Sequence, residues 1–262
     1  MGFGLVATII VLIAAFVAMI VFAKKQRYYP NAKFGVFASF IVVLFCCLSF
    51  LSETGVIGNP AEAIIKNELH YRGSVCYVLG KEIATNYPGK KVLVILRPLA
   101  KEGEMDRFTK AMRDSFDEAM EDSGCEITYD YLKIEQLDDE ADEEDYYYYE
   151  DVVTGEQYNE VLDNNAGAQV VVSFTDLPYD PDEMASMNVW EMEPEERPAL
   201  YLTFGDIEML AGVIIEDMLK GLVIWKPGVK FSRETAPGDK QEAFDNRYVL
   251  VKKDNVSNFY SE

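Results

Sequence analysis

The chain has 262 residues, 49% hydrophobic and 26% charged, with a formal net charge of −21. Residues 1–52 hold no Asp or Glu and only four bases, Lys24, Lys25, Arg27 and Lys33. The remaining 20 bases and 45 acids therefore leave residues 53–262 at −25, a field that excludes nucleic acid and disfavours anionic lipid as partners of that part.

Gly4–Ala23 is a run of twenty residues without a charge, and Phe34–Leu51 one of eighteen. At about 1.5 Å of rise per residue each approaches the roughly 30 Å of a bilayer's hydrocarbon. Between them, residues 24–33 (KKQRYYPNAK) carry four bases, so the positive-inside rule keeps this loop cytoplasmic. Both termini and everything after the second span are then expected outside the cytoplasm. Ala14 with Ala18, and Gly35 with Ser39, are small-residue pairs of the kind that permit close helix approach. Cys46 and Cys47 fall in the second run, where packing explains them.

Asn59-Pro60 opens a helix with an N-cap and a proline at the first helical position. It runs to Asn86, with Gly73 as a point of interruption, and Tyr87-Pro88-Gly89 ends it. Residues 53–89 thus read as a helical connector. Val92–Leu96 (VLVIL) is continuously apolar, as in a strand covered on both faces. Glu104–Ser123 follows as a helix with Phe108, Met112, Phe116 and Met120 on one stripe and Gly124 as its stop. Further strands are expected at Glu126–Ile134, Val170–Phe174, Ala199–Phe204, Leu222–Trp225 and, at an edge, Tyr248–Val251. Further helices are expected at Glu156–Asn165 and Asp206–Lys220, the latter capped by Asp206 and stopped by Gly221.

Alternating strands and helices at this spacing predict an α/β fold. Two N-terminal transmembrane helices (4–23 and 34–51, within 1–52) precede a Rossmann-like three-layer domain with a mostly parallel sheet over 90–262. Over roughly residues 90–225 this order, with its VVVSF third strand, resembles one lobe of the periplasmic binding proteins of the sugar-receptor type. The resemblance is one of topology and carries no diagnostic motif.

In such sheets ligands bind beyond the carboxyl ends of the strands. Arg97 follows the first strand, Asp176 the third and Asp206 the fourth. One Arg with two Asp suits a small polar or zwitterionic ligand; the competing explanation is a solvated Arg97, a turn at Asp176 and a helix cap at Asp206. Neither G-x-G-x-x-G nor G-x-x-x-x-G-K-[ST] occurs, and His70 stands alone, so no phosphate cradle and no Ser-His-Asp triad is expected. With no C-x-x-C or His/Cys cluster, no structural zinc is expected either. Cys76 and Cys125 are compatible with a disulfide or with two free thiols.

Residues 135–151 (EQLDDEADEEDYYYYED) form an acidic insertion, ten acids in seventeen residues. It is compatible with a solvated loop, a divalent-cation loop without EF-hand spacing, or a partner strip built on Tyr146, Tyr147, Tyr148 and Tyr149. Met184, Met187, Trp190 and Met192 lie in a second acidic connection, and Trp190 joins the tyrosines as a candidate partner contact. Asn255-Val256-Ser257 fits the N-glycosylation sequon.

The function expected first is a non-catalytic, membrane-anchored extracytoplasmic module that binds a protein partner, forms homo-oligomers or serves as a subunit of an envelope assembly. The alternative is a small-ligand sensor or solute-binding domain using the strand-end crevice. No cofactor is implied, and the absence of a catalytic signature leans against an enzyme.

Overall fold

The computed structural model describes residues 3–26, 28–29, 31–53, 60–97, 105–133, 153–229 and 235–260. The chain divides into two compact units, Met1–Lys66 and Asn67–Glu262.

In the first unit, α1 (Phe3–Lys25) and α2 (Ala32–Glu53) pack on each other. Gly35 is the tightest point: a Cβ there would lie 2.8 Å from the Phe22 ring, so the missing side chain admits that ring to the α2 backbone. Phe16, Phe37, Phe40 and Phe45 are exposed on the outside of the pair. Among the described residues, one window is long and apolar enough to cross a membrane, Ala32–Ser49.

Helix α3 (Pro60–Asn86) is continuous, and Gly73 does not break it. From Asn67 onward it belongs to the second unit, where the segment expected as a connector delivers Tyr71, Val75, Cys76, Leu79 and Ile83 to a core. Gly73 and Gly80 are contact points instead of breaks. A Cβ at Gly73 would meet Ser115 Oγ at 2.6 Å, and one at Gly80 would meet the Ala119 Cβ at 2.7 Å. Both partners lie on α4 (Arg107–Met120), so the two glycines, seven residues apart on one face, set how closely α3 and α4 approach.

The second unit is built on a six-stranded sheet of order β2-β1-β3-β4-β5-β6. The strands are β1 (Lys91–Leu96), β2 (Glu126–Tyr131), β3 (Val170–Ser173), β4 (Ala199–Leu202), β5 (Leu219–Trp225) and β6 (Tyr248–Val251). All neighbours are parallel except β5 and β6, where β6 runs antiparallel at the edge as expected. The strand pleat sends alternate residues to opposite faces. Val92, Val94, Leu96, Val170 and Val172 pack with α3, α4 and α8 (Lys240–Arg247). Leu93, Ile95, Val171, Leu200 and Leu202 pack with α5 (Gly155–Asn164) and α7 (Ile207–Ile215), between which the chain forms the short α6 (Pro181–Ala185). The result is an α/β fold of three layers with a mostly parallel sheet.

The start of α4 and the passage from α7 into β5 differ from expectation for local reasons. Helix α4 begins at Arg107 because Asp106 is its cap, its side chain accepting from Phe108 N (2.8 Å) and Thr109 N (3.0 Å); Phe108, on the expected stripe, is exposed. Helix α7 stops at Ile215, five residues early. Asp217 takes a left-handed φ of 63°, and the chain enters β5 at Leu219. Gly221 is therefore a strand residue, not a helix stop. The β4–β5 register slips between Leu200 and Tyr201, and a Cβ at Gly221 would lie 2.8 Å from the Tyr201 ring. Glycine at this irregularity lets that ring lie over the strand. At α5, Thr154 and Gln157 form a reciprocal capping box.

Candidate functional site

Strand order reverses between β1 and β3: the chain leaves β1 toward β2 on one side, then returns to build β3, β4 and β5 on the other. At such a switch point the two connections leave in opposite directions and open a crevice beyond the strand ends. Arg97 is the first residue after β1, and Asp176 lies three residues after β3. The structure brings them together, with Arg97 Nη2 3.8 Å from Asp176 Oδ2 and side chains 50% and 40% exposed.

The Asp176 turn is held from beneath. Tyr158 on α5 is 1% exposed; its hydroxyl donates to the Asp176 carbonyl at 2.8 Å and lies 2.9 Å from Ser173 Oγ. Ser173 Oγ donates to the Thr175 carbonyl at 2.7 Å. The Ser173 carbonyl in turn accepts from Thr203 Oγ1 at 3.1 Å. Burial pushes the Tyr158 hydroxyl above its ordinary range, so it stays a neutral donor. Ser173 was the available signal for this network: a hydroxyl inside an otherwise apolar, doubly covered strand must find a partner.

Asp206 does not join the pair as a ligand handle. It is the N-cap of α7, its carboxylate accepting from Glu208 N at 2.8 Å.

Trp190 is engaged within its own domain. It packs against the core of the α5 and α7 face, and its indole N–H donates to the Met184 carbonyl at 2.7 Å. Arg197 secures the same connection, donating to the carbonyls of Val189, Trp190 and Met192. Met187 is buried here as well. Tyr146, Tyr147, Tyr148 and Tyr149, and with them the cation-loop expectation for 135–151, lie outside the described residues. No group of three or more His, Cys, Asp or Glu is arranged to hold a metal among the described residues.

All four cysteines are free. The Cys76 thiol is buried, which raises its pKa, and Cys125 Sγ donates to the Tyr87 carbonyl at 3.2 Å. The sequon residue Asn255 uses its amide internally, accepting from Lys252 N at 2.7 Å and donating to the Leu250 carbonyl at 3.0 Å. A cavity of about 180 Å³ lies at the opposite end of the sheet, where Lys91, Glu126, Thr128, Asn165 and Gly167 line it. It sits at the amino ends of β1 and β2 and is remote from the switch point in register.

No family model matches the sequence, and no curated protein matches it. Solved structures with partial similarity include a substrate-binding protein of a sugar ABC transport system from Bordetella parapertussis 12822, at 13% identity and a TM-score of 0.39 over 58% of this chain and 41% of that one. The XylFII molecule gives 13% identity and a TM-score of 0.41 over 70% and 60%. A putative LacI transcriptional regulator from Bacteroides fragilis gives 10% identity and a TM-score of 0.40 over 74% and 62%. The chain thus spans less than two thirds of the length of each. The likeness goes no further than an α/β fold with a mostly parallel sheet.

Proposed function

We propose that this chain is a membrane-anchored module whose acidic α/β domain, from Asn67 onward, binds a small polar ligand in the crevice at the β1/β3 switch point. Arg97 and Asp176 are its polar handles. One observation carries the reading: two opposite charges, half-exposed and 3.8 Å apart, at the position where the sheet's topology opens a crevice. The buried Tyr158–Ser173 hydrogen bonds support it, because a preformed turn lowers the ordering cost of binding.

The anchor is residues 1–52, with 24–33 on the cytoplasmic side and the acidic domain outside. Lys24, Lys25 and Lys33 within an acid-free stretch, residues 1–52, support this topology. Protease added to intact cells would digest the domain; full resistance would contradict the assignment.

The ligand reading is favoured over the partner-protein reading because Trp190, one of the five residues expected at a partner surface, is hydrogen-bonded within its own domain. Thermal-shift screening of the detergent-solubilised protein with amino acids, sugars and divalent ions tests it. A stabilising compound whose effect disappears in Arg97→Ala and Asp176→Ala is the expected result; no shift with any class contradicts it.

A further inference from the structure

We infer that Arg72 is the binding residue for a small carboxylate at the carboxyl end of β4, on the α3 side of the sheet. This inference does not rest on the Arg97–Asp176 reading, whose supporting Tyr158 belongs to α5 and the opposite face.

Helical spacing offers Arg72 a partner that it does not use. Glu68 lies one turn earlier on α3, in the favourable i, i+4 order for an acid and a base. Both Glu68 carboxylate oxygens instead accept from Arg247 Nη1, at 2.8 and 2.7 Å. Among the described residues the Arg72 guanidinium has neither an ion pair nor a hydrogen bond; its contact is with the Phe204 ring. Arg97, Arg113 and Arg247, by contrast, face carboxylates, and Arg197 donates to three carbonyls.

Its position is fixed all the same. The guanidinium lies 4.6 Å from the Phe204 ring centroid. Phe204 is stacked on Trp225, with centroids 6.2 Å apart and planes 25° apart, and Tyr248 packs against both rings at 5.8 and 4.7 Å. Phe204 is the second residue beyond β4 and Trp225 the last of β5. The stack therefore stands at the carboxyl ends of neighbouring parallel strands, where such sheets bind ligands. The ring attracts the charge but supplies no oxygen acceptor to the five N–H donors. Arg72 is half-buried, so water serves those donors only in part. A neutral acceptor satisfies the donors and leaves the charge; a cation is repelled. The planar fork matches the two oxygens of a carboxylate. Phosphate brings more negative charge against the −25 carried by residues 53–262, which favours the carboxylate.

The test uses the full-length protein in mild detergent and isothermal titration with acetate, lactate and benzoate, each beside its uncharged amide, and with inorganic phosphate. At least one carboxylate is expected to bind, and its amide about tenfold or more weakly, the range for loss of a charge-assisted hydrogen bond. Tryptophan emission should change with that carboxylate, since Trp225 is stacked on Phe204. Arg72→Gln should remove the preference for acid over amide. Arg72→Lys, which keeps the charge without the fork, should weaken binding about tenfold. Loss of the preference in Arg97→Ala with its retention in Arg72→Gln would assign the carboxylate to the β1/β3 crevice and overturn the inference. Equal binding of each acid and its amide, no binding by any carboxylate, or phosphate bound in preference to every carboxylate would overturn it as well. The acid and amide are compared on the unaltered protein, so this holds even if a variant folds poorly.

Discussion

Arg247 places one guanidinium nitrogen between both carboxylate oxygens of Glu68: Nη1 lies 2.8 Å from Oε1 and 2.7 Å from Oε2. The arginine is 4% exposed on its side-chain surface and the glutamate 31%. The guanidinium also lies 3.4 Å from the Tyr71 ring centroid and 5.7 Å from that of Trp225. This links the first turns of α3 in the second unit to the junction of α8 and β6. Asn67 reinforces the link, its Oδ1 accepting from Ala236 N at 2.6 Å.

Glu68→Ala should therefore destabilise the domain well beyond an ordinary surface change. Removing the carboxylate takes the counter-charge from a buried guanidinium, a loss of about 3 kcal/mol at the low end of the range for broken buried pairs, because Glu68 is partly solvated. Denaturant unfolding followed by tryptophan fluorescence measures it, as Trp225 is adjacent. A loss below about 0.5 kcal/mol, the range of surface substitutions, would show that the pair is only incidental.

Gly80→Ala and Gly212→Ala should move stability in opposite directions. At Gly80 the new methyl would sit 2.7 Å from the Ala119 Cβ, and overpacking of that kind costs about 1–3 kcal/mol. At Gly212, inside α7, nothing lies within 4 Å of the new atom, and alanine's better helix propensity is worth up to about 1 kcal/mol. Comparing the two melting temperatures checks the α3–α4 packing without reference to function.

Much of this architecture is written locally. A doubly covered parallel strand has to be apolar throughout, so Val92–Leu96 and Val170–Val172 declare themselves. Asp206 and Gly89 mark a helix start and stop by backbone chemistry alone. What misleads is glycine in tertiary contact. Gly73 reads as a break and Gly221 as a stop, but each is small because of a neighbour that sequence does not display, Ser115 and Tyr201 respectively. The Arg97–Asp176 pair is legible only in part: strand ends name the candidates, but which strands are adjacent decides which candidates meet. Asp206, one strand further along, is taken by its own helix. Trp190 is named by its acidic connection alone; its hydrogen bonds to Met184 and Arg197 come from a local fold that sequence does not display.

Alkaline pH should destabilise the domain. Burial raises the hydroxyl pKa of Tyr129, Tyr158 and Tyr201, and raises that of Tyr248 from the ordinary 10 to about 12. A tyrosine with a raised folded-state pKa binds its proton more tightly folded than unfolded. Its contribution is thus complete below about pH 10 and is lost as pH rises toward 12 and above, by roughly 2–3 kcal/mol for Tyr248 alone. Tyrosinate absorbance should show a group of late-titrating tyrosines whose ionisation coincides with unfolding. Titration of every tyrosine near pH 10 in the folded protein would contradict it.

A ligand at one hundred times its dissociation constant should stabilise the domain by about 2.7 kcal/mol. For a folded unit of this size that corresponds to a rise of roughly 5–10 °C in melting temperature. Arg97→Ala alone, without ligand, should change stability by less than about 1 kcal/mol, since the Arg97–Asp176 pair is half-exposed. A large loss in the unliganded variant would mean that the pair is structural.

Hydrogen exchange of the intact protein, with and without the best stabilising compound, tests the location of binding most directly. Slowed exchange at the carboxyl ends of β1 and β3, from Leu96 to Arg97 and from Phe174 to Leu177, is the result this account predicts. Protection confined to the opposite end of the sheet, around Lys91 to Leu93 and Asn164 to Ala168, would place the ligand in the other cavity and contradict it.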